Sequence, residues 1–142
     1  MRQAADAEKG KGVRRMPKVK DLMVSEVVTI DDSASVVDAA KRMIQEKKGP
    51  LPVVEEGNRV HAIVTDRDII AHVVAEGRDP SALRVHDIAT HELVTIGPEQ
   101  DVDEARQLMA QHELDRILVV EGDQLVGIIS EADIRADEGP LA

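Results

Sequence analysis

The sequence contains no cysteine and no tryptophan, tyrosine or phenylalanine. Without cysteine the chain has neither a disulfide scaffold, a thiolate metal site nor a cysteine nucleophile, which is typical of a reducing compartment. Without aromatic rings, a flat ligand must be held between aliphatic side chains. Apolar residues make up 42% of the 142 residues. This share is enough to build one domain or two small lobes from Val, Ile, Leu, Ala and Met.

Long apolar runs are also absent. No run reaches the roughly 20 residues that a membrane helix requires, and the N-terminal segment MRQAADAEKGKGVRRMP has no apolar signal core. These features predict a cytoplasmic protein. Residues 1–20 carry a net charge of +5, whereas residues 21–142 carry −15. The acidic body argues against nucleic-acid binding, and residues 1–17 are expected to form a flexible basic leader, with Met16 as an alternative start.

The chain contains an internal duplication. At an offset of 66 residues, VVTI at 27–30 matches LVTI at 93–96, and VVE at 53–55 matches VVE at 119–121. After a one-residue deletion the offset becomes 65, and Asp68 matches Asp133. Such self-similarity indicates two tandem copies of one folding unit. We therefore expect a first domain at residues 18–80, a second at 81–137, and a short tail at 138–142.

Each copy is predicted to fold as strand, helix, strand, strand, helix. In copy one, VVTI is β-rich, DDSAS supplies helix N-caps, and the apolar residues of 36–44 recur at helical spacing. The run LPVVEEGNRVHAIV predicts a hairpin, and TDRDIIAHVVAEG predicts a helix that ends at Gly77. Copy two repeats this pattern, but its last helix, which begins at Ser130, is expected to be short.

A Thr/Ser-x-x-Asp tetrad opens the last helix of each copy: Thr65 with Asp68, and Ser130 with Asp133. These residues fit a capping box, in which the hydroxyl and the carboxylate each accept a backbone N–H. A helix N-terminus can also bind phosphate, and a carboxylate can accept both hydroxyls of a ribose. The two roles are compatible, and the residues alone leave both open.

Other chemistry is poorly represented. The sequence has no phosphate-binding loop of the G-x-x-x-x-G-K-[ST] type, no G-x-S-x-G and no H-E-x-x-H. Its five histidines are scattered, and the nearest pair, His86 and His91, has no third ligand close in sequence. No nucleophile stands beside a base. We predict no metal site and no enzymatic activity.

Eight motifs in order resemble the tandem cystathionine-β-synthase (CBS) domain pair: VVTI, DAAKRM, LPVV and HAIVTDRDI, then LVTI, DEARQLM, ILVV and VGIISEADI. The resemblance covers residues 18–135. It implies an α/β (α+β) fold in which two β-α-β-β-α repeats pack through their sheets with pseudo-twofold symmetry. It also implies two clefts for AMP, ADP, ATP or S-adenosylmethionine, with no obligatory cofactor. A homodimer through the apolar stripes of VVDAAKRMI and VDEARQLMA is expected.

The resemblance further implies roles for individual residues. Asp68 and Asp133 would bind ribose hydroxyls, with Thr65 and Ser130 near the ribose or phosphate. Arg116 would meet phosphate, unless it pairs with a neighbouring acid. The remaining nucleotide-binding residues would line the adenine pockets: Val28, Thr29, Ile30, Ile63, Val94, Thr95, Ile96 and Ile128.

The two copies differ at two such positions. Copy one has Pro50 where copy two has Arg116, leaving Lys47 and Lys48 as looser substitutes, and Ala62 stands where copy two has Gly127. A methyl group at Ala62 is expected to crowd the ligand, so the two clefts should be unequal, with one of them empty or serving another ligand.

Three interpretations of function follow. The favoured one is a regulatory module that binds an adenosine-containing ligand. The second is a structural or interaction module with vestigial clefts that regulates an unknown protein partner. The third is a metal- or nucleic-acid-binding stress-response protein.

Overall fold

The computed structural model describes residues 16–139, so residues 1–15 of the predicted leader and the last three residues of the predicted tail lie outside it. The strands are β1 (Ile30–Asp31), β2 (Leu51–Glu55), β3 (Arg59–Val64), β4 (Thr95–Ile96), β5 (Arg116–Glu121) and β6 (Gln124–Ser130). The helices are α1 (Val19–Leu22), α2 (Val36–Glu46), α3 (Asp66–Ile69), α4 (Val102–His112) and α5 (Glu131–Glu138). Short 3₁₀ turns lie at Pro80–Ala82 and Val85–Asp87. The order β1-α2-β2-β3-α3 recurs as β4-α4-β5-β6-α5, which confirms the predicted β-α-β-β-α repeats.

The first long helix of each copy buries a stripe of three matching positions. α2 begins after Ser35, whose hydroxyl accepts the Asp38 N–H at 3.0 Å. Its buried side chains are Val36, Ala39 and Met43, and those of α4 are Val102, Ala105 and Met109. Ile44, predicted to share the apolar face of α2, is instead 77% exposed. The buried face of α2 is therefore narrower than the helical spacing of its apolar residues predicted.

The first strand of each copy is shorter than predicted. β1 pairs in parallel with β2 only at Ile30 and Asp31, and β4 pairs with β5 only at Thr95 and Ile96. Residues 27–29 and 93–94 precede these strands and are not part of them. The β-rich composition of VVTI and LVTI reflects partial burial, because the apolar side chains at 27–28 and 93–94 are half-buried.

Two antiparallel hairpins form as predicted, and they join the copies. β2 pairs with β3, and β5 pairs with β6. Gly57 and Gly122, with φ of 78° and 66°, occupy the left-handed turn positions. The sheet order is β1-β2-β3-β6-β5-β4, in which β3 meets β6 at the Arg59–Gln124 pair. Val60, Leu118 and Leu125 form a buried cluster from both hairpins, so the copies pack through their sheets.

Each lobe is completed by the segment that precedes the other copy. Val19 of α1 is fully buried in the core of copy two, and Val85 of the second 3₁₀ turn is fully buried in the core of copy one. Two bridges related by the pseudo-twofold symmetry fasten these segments: Val24 to Ile128, and Thr90 to Ile63. The expected division between residues 80 and 81 stays a prediction, and in space the two lobes exchange segments.

A surface ion pair adds to the attachment of α1 on copy two. Lys20 Nζ donates to Glu99 Oε2 at 2.8 Å, and this hydrogen bond raises the pKa of Lys20. Both side chains are exposed, so the pair contributes little to stability. The buried apolar contact of Val19 is the stronger attachment.

The last helices of the two copies end in different ways. α3 continues as a π-helical turn over Ile70–Val74, after which the Gly77 N–H donates to the Val74 carbonyl at 3.1 Å. Gly77 has φ of 66°, the conformation that ends many helices. α5 has eight residues and stops before Gly139, so the short final helix is confirmed.

None of the helices within residues 16–139 combines the length and apolarity needed to cross a bilayer.

Candidate ligand-binding clefts

Both Thr/Ser-x-x-Asp tetrads form complete capping boxes. Thr65 Oγ1 accepts the Asp68 N–H at 3.1 Å, and Asp68 Oδ2 accepts the Thr65 N–H at 2.9 Å. The corresponding distances for Ser130 and Asp133 are 3.1 and 3.0 Å. The helix-start interpretation is therefore confirmed. Within residues 16–139, each carboxylate uses only Oδ2 in these bonds, which leaves Oδ1 able to accept further donors.

The larger cavity, named here cleft 1, has a volume of about 400 Å³. It lies between the end of β3 in copy one and the segments around β4 and β5 in copy two. Its surface is mainly apolar, and a few polar side chains also line it. The lining residues are Pro50, Ile63, Thr65, Glu92, Leu93, Val94, His112, Leu114, Asp115, Arg116, Ile117, Leu118 and Ile128.

A second cavity, cleft 2, has a volume of about 210 Å³. It lies between the segments around β1 and β2 in copy one and the β6–α5 junction in copy two. It contains two basic side chains, Lys48 and Arg116, together with the Asp133 carboxylate. The lining residues are Val24, Glu26, Val27, Val28, Lys48, Pro50, Pro52, Arg116, Ile128, Ser130 and Asp133.

Matching positions of the two copies build the two clefts in a crossed manner. Val28 of copy one faces the same cavity as Ser130 and Asp133 of copy two, whereas Val94 of copy two shares a cavity with Thr65 of copy one. The sequence analysis did not state which residues of the two copies share a cleft. The approach of the two sheets brings the helix start of one copy against the segment that precedes the first strand of the other.

Arg116 and its counterpart Pro50 line both clefts. Residues related by a twofold operation can contact the same two sites only if they lie near the axis. Arg116 Nε is 3.3 Å from Asp115 Oδ1, and both side chains are largely exposed. Such a surface pair is weak, so the guanidinium can exchange it for a ligand oxygen. A single arginine can therefore serve either cavity.

Several predicted site residues line neither cleft. Ile30 and Ile96 are 3% exposed and belong to the two lobe cores. Thr29 contributes its carbonyl to Arg42 Nη1 at 2.7 Å. Thr95 and Asp68 are also absent from both linings. The structure brings the remaining predicted residues to the cavities: Val28, Ile63, Thr65, Val94, Arg116, Ile128, Ser130 and Asp133.

The expected crowding by Ala62 is also wrong. Ala62 is fully buried in the core of copy one, where Ala89 packs against the same cluster, and it lines neither cleft. Neighbouring residues of a strand face opposite sides, and in β3 it is Ile63 that reaches a cleft. At Gly127 a Cβ would lie 2.6 Å from Met23 Sδ. The glycine accommodates the exchanged segment and has no part in the cavity.

Some lining residues escaped the sequence analysis. Leu93 and Val27 occupy matching positions in the two clefts, as do Glu92 and Glu26. These pairs can be found from the 66-residue offset of the repeat. The offset alone does not show whether a residue lines a cavity or lies in the core. Lys48, expected as a loose substitute for a phosphate contact, does line cleft 2, whereas Lys47 ends α2 in a left-handed conformation.

Comparisons with known proteins agree with this architecture. The family model described as the CBS domain matches residues 19–75 and 85–137. The CBS domain-containing protein YhcV of Bacillus subtilis is 37% identical over 123 residues, covering 87% of this chain and 86% of the relative.

Two solved structures have the same fold. Hypoxic Response Protein I, solved with two coordinated zinc ions, has a TM-score of 0.78 at 29% identity and covers 86% of this chain and 99% of its own. The second structure is the CBS domain pair of protein MJ0100, solved in complex with 5′-methylthioadenosine and S-adenosyl-L-methionine. It has a TM-score of 0.73 at 26% identity, and the match covers 88% of this chain and 98% of the MJ0100 chain. The two matched segments and the curated relative show that this chain belongs to the CBS domain family, as a tandem CBS domain pair.

Proposed function

We propose that this CBS pair is a regulatory module that binds an adenosine-containing ligand in its two clefts, without catalysing a reaction. The observation that carries the proposal is the composition of cleft 2. It places Asp133, Ser130 and Arg116 around one cavity whose walls include Val27 and Val28. A nucleotide requires three kinds of group: a carboxylate that binds the ribose hydroxyls, a cation that binds the phosphate, and an aliphatic surface that packs against the base.

The two clefts suit different members of this ligand class. Cleft 2 adds Lys48 to the shared Arg116, and beside Glu26 and Asp133 these two cations supply the local attraction for a phosphate. We assign AMP, ADP or ATP to this cleft. Cleft 1 is larger and more apolar, and Glu92 and Asp115 lie at its rim. We assign to it an adenosyl compound without phosphate, such as S-adenosylmethionine. The MJ0100 complex supports the class of ligand.

We further propose that the protein is cytoplasmic and forms a homodimer through copy one. Ile44 is 77% exposed on α2, which contacts α3, and Ile70 and Val74 are 60% and 67% exposed on the continuation of α3. Their counterparts in copy two are Ala110, Arg135 and Gly139, so only copy one presents this apolar face. Light scattering is expected to give twice the chain mass of 15.5 kDa, and Ile44→Lys should shift the protein to the monomer. A monomeric wild type at micromolar concentration would contradict the dimer.

The ligand can be tested directly because the chain has no aromatic residues. Purified protein freed of nucleic acid should absorb near 260 nm only if it carries an adenine. Denaturation followed by mass spectrometry then identifies the compound. Added AMP at a hundredfold excess over its Kd should stabilise the fold by about 2.7 kcal/mol.

The opposite result is equally informative. A protein without absorbance near 260 nm that shows no thermal shift with AMP, ATP, S-adenosylmethionine or adenosine would overturn the binding proposal. The interaction module with vestigial clefts would then be the better interpretation.

A further inference from the structure

Copy one contains a cluster of three metal-ligating side chains outside both clefts. Asp32 follows β1, Glu55 ends β2, and His61 lies in β3. One ligand atom from each lies within 4.8 Å of the other two, and all three residues are half-buried. No other group of three such side chains meets this criterion within residues 16–139. The three come from separate segments, so the folded sheet creates the cluster.

The histidine nitrogen in this cluster lacks the hydrogen bond that burial normally demands. His61 Nε2 is buried and has no hydrogen-bond partner among residues 16–139. It lies 3.3 Å from Asp32 Oδ2, close enough for an ion pair but not aligned as a hydrogen bond. In a tetrahedral zinc site with bonds of about 2.0 to 2.2 Å, neighbouring ligand atoms are about 3.3 to 3.6 Å apart. The observed separation of 3.3 Å falls within this range.

Backbone and ring contacts hold two of the three groups in place. The Asp32 N–H donates to the Val54 carbonyl at 3.0 Å, and the Asp32 carbonyl accepts the His86 N–H at 3.1 Å. The His61 ring stacks on His91, with centroids 5.8 Å apart. These contacts fix the Asp32 backbone and one face of the His61 ring, so little ordering remains to be done on binding.

Glu55 already has an ion-pair partner. Its Oε1 lies 3.3 Å from Arg59 Nη2, and both side chains are more than 40% exposed. An exposed pair of this kind is weak, so a cation can displace the guanidinium. Once released from Arg59, the Glu55 carboxylate would complete a set of one nitrogen and two oxygen ligands.

We propose that Asp32, Glu55 and His61 bind a first-row divalent cation, with zinc as the preferred ion. Imidazole with carboxylate ligands suits this class of metal, and three protein ligands leave a coordination position for water. Cysteine is not required. Copy two lacks the set, because the positions of Asp32 and His61 are occupied there by Pro98 and Val126, and only Glu121 matches Glu55. The proposal therefore predicts one site per chain and is independent of the clefts.

The test measures metal binding to the full chain. Zinc is titrated by calorimetry, and cobalt by its visible absorption, in which neither thiolate nor aromatic bands can interfere. Wild type is expected to bind one equivalent with micromolar affinity or tighter. His61→Gln and Asp32→Asn should each weaken binding at least tenfold, and Glu55→Gln should weaken it severalfold.

Two matched controls separate this site from surface binding. His72→Gln removes an exposed histidine that also lies beside a carboxylate, Glu76, at 3.9 Å. Glu121→Gln removes the copy-two counterpart of Glu55. Both should bind zinc like wild type, and circular dichroism should show that every variant is folded. Unchanged zinc affinity in folded His61→Gln or Asp32→Asn, equal losses in His72→Gln, or no binding tighter than millimolar would each overturn the proposal. AMP affinity, measured in parallel, reports separately on the clefts.

Discussion

Cleft 1 and cleft 2 are built from matching positions of two copies of one unit, yet they differ in size and charge. Cleft 1 has about twice the volume and a more apolar wall, whereas cleft 2 adds Lys48 to the shared Arg116 and has Glu26 and Asp133 as its acidic residues. Duplication gives both cavities the same plan. Substitutions at a few lining positions then give each its own chemistry.

The position near the pseudo-twofold axis has the widest influence. Arg116 and Pro50 both line both clefts, so one cation is shared between two cavities. A symmetric pair would have two arginines there, one for each ligand. With proline on one side, a strong phosphate contact is available to one cleft at a time. The comparison teaches that an axial substitution affects both sites, whereas a peripheral one affects a single site.

Arg116→Ala is expected to have the largest effect. Loss of a charge-assisted hydrogen bond to phosphate costs about 1.5 to 3 kcal/mol, which corresponds to a roughly ten- to hundredfold weaker affinity for AMP. Adenosine, which has no phosphate, should bind almost unchanged. Calorimetric titration of both compounds provides the measurement, with Arg78→Ala as a surface control. Equal losses for AMP and adenosine would show that Arg116 shapes the cavity and does not contact phosphate.

The next prediction concerns protein stability at the exchanged segments. At this place outside the clefts, copy two has Gly127 and copy one has Ala62. A Cβ at Gly127 would meet Met23 Sδ at 2.6 Å and the Val24 carbonyl oxygen at 3.0 Å. Gly127→Ala is expected to cost about 1 to 3 kcal/mol, as overpacking does. The reverse change, Ala62→Gly, should cost only about 0.5 to 1 kcal/mol.

Urea unfolding of both variants checks this difference. In Gly127→Ala/Met23→Ala the shortened side chain should recover part of the lost stability, because the clash is then removed. AMP affinity should not change in Ala62→Gly, since Ala62 lines neither cleft. Equal costs for the two single variants would mean that the close approach at Met23 relaxes without strain.

Much of the fold could be predicted from the sequence because local chemistry specifies it. The N-cap at Ser35, the glycine turns at Gly57 and Gly122, and both capping boxes depend on residues near each other in the chain. The internal repeat added the architecture, since a motif that recurs in register folds the same way twice. These features need no knowledge of how the copies meet.

The composition of the clefts could not be predicted in the same way. It depends on which face of one copy meets which face of the other, and on the exchange of the segments at Val19 and Val85. Val94 and Ile96 lie two residues apart, yet the first reaches a cavity and the second is core. The cluster of Asp32, Glu55 and His61 was missed because its members are far apart in the chain and only sheet pairing unites them.

The last comparison concerns the two capping-box aspartates. Asp133 lines cleft 2, whereas Asp68, at the matching position, lines neither cleft. Asp133→Asn should weaken AMP and adenosine alike by about 1.5 kcal/mol, roughly tenfold, because both ligands present the ribose hydroxyls. Asp68→Asn should leave both affinities close to wild type. An asparagine carbonyl can still accept the N–H of Ser130 or Thr65, so the melting temperature should hardly change in either variant. A lower melting temperature in Asp133→Asn with unchanged AMP affinity would show that this carboxylate only caps α5 and has no part in ribose binding.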